Sequence, residues 1–320
     1  MARVNRHCNV SAPPRGGGGG IIARFGMRWG VARQLLALLL MWAAGAAVAQ
    51  APDEDAPGRG DEAASATSVL DEQWALGDDD DRRAFSFSPY RPNYILPLSY
   101  RADRGSGVEG EADRLELEFQ LSFKTRVWSG ALLDRGAMWF GFTQRSFWQA
   151  YSESAPFRET NYEPELRYAY ELGGSFRGWR PRVLTIGLNH QSNGRSGDES
   201  RSWNRLTGGL AAERGDLSLS ARGWWRLPES GEDDNPGIVD RVGRGELRAR
   251  YDVGGHTVSS MLRSNFEAGD PRGAIRVSYA FPLNRAFRGY IRAFHGYGDS
   301  LIDYDEVSSR LGVGIALSVW

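Results

Sequence analysis

From Phe85 onward, apolar and polar residues alternate with a period of two. Leu115, Leu117, Phe119, Leu121 and Phe123 are interleaved with Glu116, Glu118, Gln120, Ser122 and Lys124. Tyr162, Leu166, Tyr168, Tyr170 and Leu172 alternate in the same way with Glu163, Glu165, Arg167 and Glu171. Leu247, Ala249, Tyr251 and Val253 follow, against Glu246, Arg248, Arg250 and Asp252. Successive side chains of a strand point to opposite faces, so each of these segments predicts a strand with one apolar and one charged face. Asn93–Arg101 is the first candidate. The stretches around Leu217, Ile275 and Leu311 extend the series, and Gly, Asn, Asp and Pro mark turns such as Glu232 to Gly237 and Asp252 to Gly255. The count comes to about twelve strands of roughly ten residues each.

Ten residues tilted near 45° span the hydrocarbon of a bilayer. A β-sandwich also alternates, but it buries one face in a shared core and rarely needs strands this long and uniform. A soluble barrel turns its apolar face inward. The predicted fold is therefore all-β, a twelve-stranded antiparallel transmembrane β-barrel in the outer membrane of a Gram-negative cell. An even strand number returns both ends to one side. Trp128, Trp139, Trp148, Trp179, Trp203, Trp224 and Trp225 lie near predicted strand ends and suit interfacial girdles. A terminal aromatic, Trp320, fits the same class, although it falls out of phase with Leu311 to Leu317.

The first part of the chain lacks this pattern. Arg24, Arg28 and Arg33 precede an apolar run from Leu35 to Val48, which ends in Ala47, Val48 and Ala49. That is the layout of a secretory signal peptide over residues 1–49, with Met27 as an alternative start. The glycine run from Gly16 to Gly20 has no following helix pattern and no Lys-Ser/Thr ending, which argues against a phosphate loop. Residues 50–84, rich in Ala, Asp, Glu and Pro, read as an acidic disordered linker, and residues 85–320 as the barrel. The only cysteine, Cys8, falls in the leader, which excludes disulfides and a thiol nucleophile from the mature protein. A net charge of −1 gives no global field for nucleic acid. The mean hydropathy of −0.46 is compatible with a barrel, whose alternation averages to hydrophilic.

The same parity applied to residues 184–210 brings chemistry into view. Leu184, Ile186 and Leu188 lie on an apolar face, and His190 and Ser192 continue it. After a polar turn from Asn193 to Trp203, Asn204 shares parity with Leu206 and Leu210. Across an antiparallel hairpin, matching parity means a shared face. Ser192 is a poor nucleophile without a base; His190 can take its proton and return it to a leaving group, and Asn204 can fix the ring's tautomer. On the HxS spacing alone, a His and a Ser in a barrel strand with polar neighbours would be the simpler reading. Ionisable groups at membrane depth are costly, however, and default to function. The turn is also dense in oxygen ligands suited to a hard cation such as Ca²⁺, which would polarise an ester carbonyl.

The run His190 to Ser196, followed by Ser200 to Arg205, resembles the outer-membrane phospholipase A family. Phe142 to Gln144, Pro156 to Pro164, Asp233 to Pro236 and Gly296 to Tyr304 support the resemblance, and Arg91 to Pro97 fits the family's first strand region. It covers about Tyr90 to Trp320. The resemblance implies calcium-dependent hydrolysis of acyl esters of membrane glycerophospholipids, at sn-1 and sn-2 (phospholipase A1 and A2), and of lysophospholipids, with activation by homodimerisation. It places the nucleophile on Ser192, the base on His190 and the orienting residue on Asn204. It places the calcium ligands of the dimer on the Arg195 carbonyl and the Ser200 hydroxyl, with the partner's Ser154. A second calcium site would use Asp234, but its other aspartate falls on Gly197, with Asp198 beside it. Gln144 falls on the family's buried interface glutamine. The competing reading is a non-enzymatic outer-membrane pore or structural barrel.

Overall fold

In a computed structural model of the chain, residues 68–74, 87–103, 112–130, 132–229, 231 and 233–318 are described, all within one unit, Ala64–Trp320. The expected signal peptide over 1–49, most of the stretch 50–84 and Trp320 lie outside the described residues. The strands are β1 (Phe87–Pro89), β2 (Asn93–Arg101), β3 (Leu115–Ser129), β4 (Gly136–Trp148) and β5 (Phe157–Glu171). β6 (Arg180–Ser192), β7 (Ser202–Arg214), β8 (Leu217–Arg226) and β9 (Gly245–Val253) follow. β10 (His256–Ser264), β11 (Gly273–Pro282), β12 (Arg288–Tyr297) and β13 (Val307–Ser318) complete the sheet.

From β2 onward each strand pairs antiparallel with its sequence neighbour, and β13 pairs back onto β2, closing the sheet on itself. β1 and β2 lie end to end along the same edge of β3: β1 meets Phe123 to Thr125, and β2 meets Leu115 to Gln120. They are two halves of one stave, so the sheet is a closed 12-stranded barrel. Closure pairs the edges that an open sheet would leave in lipid.

The faces are inverted relative to a soluble protein. Leu184, Ile186 and Leu188 point outward and are 49%, 54% and 54% exposed. Glu116, Glu118, Arg158 and Arg292 point inward and are at most 1% exposed. Charged groups fill the lumen by pairing across it. Glu118 on β3 accepts from Arg145 on β4 at 3.0 Å, from Arg292 on β12 at 3.0 Å and from the Tyr94 hydroxyl at 2.6 Å. Asp299 accepts from Arg292 and from Arg310, each at 2.7 Å. A second cluster joins Arg91 to Glu163 and Glu165 at 2.6 and 2.8 Å, and Arg222 on β8 to Glu165 on β5 at 2.9 Å. Between these bridges remains a cavity of about 280 Å³.

Two expectations need correction. The stretch 50–84 is not wholly without structure: Val69–Trp74 forms a short helix. Leu70 and Trp74 fall four apart on one helical face, and both are buried against Tyr90, Trp139, Ala169, Val183 and Ala211 inside the barrel. Trp74 and Trp139 also flank the Lys124 ammonium, at 4.3 and 4.5 Å from the ring centroids. The girdle assignment fails for Trp139 and Trp203, which point inward at 5% and 1% exposure, whereas Trp128 and Trp225 point outward at 61% and 70%.

The two rims differ. At one rim, turns such as 215–216 and 254–255 are short. At the other lie the longer loops 149–156, 193–201, 227–244 and 298–306. In bacterial outer-membrane barrels the longer loops face outward from the cell. Removing one partner from the crossed ion pairs leaves buried charge uncompensated. Glu118→Ala should therefore lower unfolding stability in lipid vesicles by about 3–5 kcal/mol, read as a lower urea midpoint. Ile186→Ala, on the lipid face, should lower it by much less.

Candidate active site

The residues singled out from the sequence meet where β6 and β7 reach the long-loop rim. Leu227 donates its N–H to the Asn204 carbonyl at 2.8 Å. The backbone polar groups of Asn204 are thus turned toward β8, away from β6. His190 and Asn204, which are register partners, form a non-hydrogen-bonded pair, the arrangement that brings side chains closest. His190 Nδ1 and Asn204 Oδ1 lie 2.8 Å apart. A carbonyl oxygen only accepts, so the ring's Nδ1 carries the proton and Nε2 is left with its lone pair. Ser192 stands two residues beyond His190 on the same outward face, opposite Ser202 on β7 and Tyr162 on β5. No hydrogen bond joins Ser192 to His190 among the described residues.

Asn204 is also held from behind. Glu229 Oε1 accepts from its backbone N–H at 3.2 Å and from its Nδ2 at 3.4 Å. Parity could not have found Glu229, which lies beyond the end of β8. Pro228, which marks that end, was the only signal in its neighbourhood.

The turn after β6 is organised by Asn193, which is 5% exposed. Its Oδ1 accepts from the N–H groups of Arg195 and Arg201 at 3.2 and 3.0 Å, and its Nδ2 donates to the Glu199 carbonyl at 2.8 Å. The next long loop docks onto this turn. Asn235 Oδ1 accepts from the Ser202 N–H at 3.0 Å, and Ile238 and Val242 pack with Trp203, Leu301 and Tyr304. Docking brings Asp234 to Ser200, whose hydroxyl donates to Asp234 Oδ2 at 2.6 Å. Two residues expected in separate calcium sites are thus hydrogen-bonded to each other. The neighbouring Asp233 is committed elsewhere: its hydrogen bond from Arg226 holds the carboxyl below its ordinary range. Gly197 has a φ of 64°, a left-handed conformation, and the space beside it is open. Asp198 is exposed. Ser154 is exposed in the loop between β4 and β5 and makes no hydrogen bond to the 193–201 turn among the described residues. There, no three His, Cys, Asp or Glu side chains converge on one point. The Ser200 hydroxyl, the Asp234 carboxylate that it meets and the backbone carbonyls of the turn are oxygen donors of the kind hard cations take.

The family model for phospholipase A1 matches residues 70–317. The chain belongs to the phospholipase A1 family. A phospholipase A1 of Klebsiella pneumoniae is 38% identical over 241 residues, covering 73% of this chain and 83% of the relative. Among solved structures, outer membrane phospholipase A from Escherichia coli superposes with a TM-score of 0.68 at 34% identity, covering 76% of this chain and 95% of that one. The Salmonella typhi outer membrane phospholipase, solved as a dimer with bound calcium, gives a TM-score of 0.69 at 35% identity, covering 73% and 93%. As an outer-membrane member of the phospholipase A1 family, this protein presents the His190–Asn204 pair on the wall face that meets the bilayer. The inward Trp203 of this family member anchors the site from behind: its ring stacks under the Arg205 guanidinium at 4.0 Å and its Nε1–H reaches Gln191 at 2.9 Å. Trp203→Ala should destabilise the barrel by about 3–5 kcal/mol. It should also raise amide exchange across residues 193–203, a change that hydrogen-exchange mass spectrometry would detect.

Proposed function

We propose that the protein is a calcium-dependent outer-membrane phospholipase that uses Ser192 as nucleophile, His190 as base and Asn204 as the residue that orients the ring. The observation that carries the reading is the 2.8 Å His190–Asn204 contact on the lipid-facing side of the wall, with Ser192 next along that face. Phospholipid tails pack against this surface, so the acyl ester can reach Ser192 without leaving the membrane. Ser192 Oγ attacks the acyl carbonyl while His190 Nε2 takes its proton. The tetrahedral adduct collapses, the glycerol C–O bond breaks, and His190 returns the proton to the departing alkoxide. Water, deprotonated by the same ring, then splits the acyl-serine ester and releases a fatty acid. Either acyl position and lysophospholipids offer the same ester to this open face, which supports phospholipase A1, A2 and lysophospholipase activity.

We assign the calcium-holding oxygens to Ser200, Asp234 and the Arg195 carbonyl, completed by the partner's Ser154. The oxygen-only donor set and the Ser200–Asp234 contact support this, as does the calcium bound by the Salmonella typhi relative. A bound calcium would supply positive charge to stabilise the developing oxyanion. Homodimerisation fits the outward position of Gln144, which lies in the same transverse row as Tyr162 and Ser192. That row places it two strands, about 10 Å, from the nucleophile. We read residues 1–49 as the export signal.

Ser192→Ala should keep heat-modifiable barrel migration while losing fatty-acid release by roughly a thousandfold or more. Undiminished release would refute the assignment, and ion conductance with no lipolysis in the parent protein would favour the pore. EDTA should abolish release and added calcium restore it. Cross-linking in detergent with calcium and a substrate analogue should trap a dimer. Gln144→Leu should shift that equilibrium toward monomer, and an unchanged dimer yield would count against the interface.

A further inference from the structure

We propose that Glu229 is a positioning residue for this site, selecting the orientation of the Asn204 amide and placing a fixed negative charge behind it. The inference rests on the Ser192–His190–Asn204 reading above. It starts from the way β8 ends. Leu227 still donates to the Asn204 carbonyl, and the strand leaves β7 at Pro228. The Asn204 N–H, whose partner in a regular ladder would be the Leu227 carbonyl, is received by the Glu229 carboxylate instead, at 3.2 Å. The same oxygen accepts from Asn204 Nδ2 at 3.4 Å.

This second contact matters for chemistry. The two ends of an Asn amide are nearly equal in shape, so only its partners decide which end faces His190. A carboxylate accepts and does not donate. It therefore draws Nδ2 to itself and turns Oδ1 toward the ring. Oδ1 in turn requires a proton on His190 Nδ1, which leaves Nε2 as the basic nitrogen. With the amide reversed, Oδ1 would face the carboxylate and Nδ2 would favour the opposite tautomer. Asn204 alone carries no charge to stabilise an imidazolium. Glu229 supplies one, transmitted through the polarised amide.

Other charged groups are placed differently. Tyr162 on β5 and Ser202 on β7 share the outward face with the ring. Arg195 pairs with Glu199 and Glu159 at the rim above it. Arg201 bonds to the Asp198 carbonyl. Glu163, Glu165 and Arg205 lie on the lumen side of the wall, where they pair with one another and with other arginines.

The test is a kinetic series on the full-length protein in mixed micelles with saturating calcium. Glu229→Ala should lower kcat roughly tenfold, the equivalent of one charge-assisted hydrogen bond, with KM and the calcium half-saturation unchanged. Glu229→Gln keeps an acceptor and removes the charge. Its imidazolium is less stabilised, so the acidic limb of the kcat/KM profile should move to lower pH by about half a unit or more. Asn204→Asp puts a carboxylate directly on the ring, so adding Glu229→Ala to it should bring no further loss. A merely structural Glu229 would change heat-modifiable migration or KM and leave the pH limb in place. A Glu229→Gln profile that superimposes on the parent's overturns the proposal. Activity retained by Ser192→Ala overturns the underlying triad instead, so the two failures are distinguishable.

Discussion

In hydrocarbon an unpaired peptide group costs several kcal/mol, and no water is present to take it. Every other feature of this protein is arranged around that constraint. The strands close into a ring because an edge in lipid is not tolerated. The residues that must face lipid are apolar, so the charged half of each strand is forced inward, where it can survive only by pairing across a narrow lumen. Glu118, Arg292 and Asp299 do this from three different elements. The lumen is consequently filled, and the space that many barrels give to a channel holds structure here.

That division of roles explains why the candidate chemistry sits on the outer wall. A narrow, charge-filled interior offers no place for a phospholipid, whereas the outer wall is bathed in it. Three polar side chains on that wall are tolerable because they lie at the rim, where strands meet long loops. Each of those loops contributes a support. The 193–201 turn is folded by Asn193, the 227–244 loop is docked through Asn235 and Trp203, and the strand end at Pro228 exposes one backbone donor that Glu229 fills.

Most of the wall was legible in the sequence because a period of two assigns each residue a face. The common face of His190, Ser192 and Asn204 followed from parity, and the register of β6 with β7 bears that face out. Parity was also available for Trp139 and Trp203, whose phase with Thr143 and Arg205 points inward, but the girdle expectation weighed aromatic character above phase. What periodicity could not reach lies outside strands. The helix Val69–Trp74 is too short for a clear helical period and sits in an acidic stretch, so only its docking against Tyr90 and Trp139 defines it. The pairing of Ser200 with Asp234 joins two loops separated by all of β7 and β8, and no local pattern encodes such a meeting.

The crossed ion pairs also carry a consequence for how the molecule is made. Arg101 meets Asp303 across 202 positions of sequence, Arg310 meets Glu116 across 194, and Arg292 meets Glu118 across 174. Glu116 and Glu118 find one arginine each on β5 and β4, Arg158 and Arg145, but the rest of their pairing waits for the last strands. A chain halted partway would present under-compensated carboxylates on the surface that has to close. Contacts this distant form late and slowly, so the ionic lumen works as a completeness check: the barrel reaches full stability only when its final strand is in place.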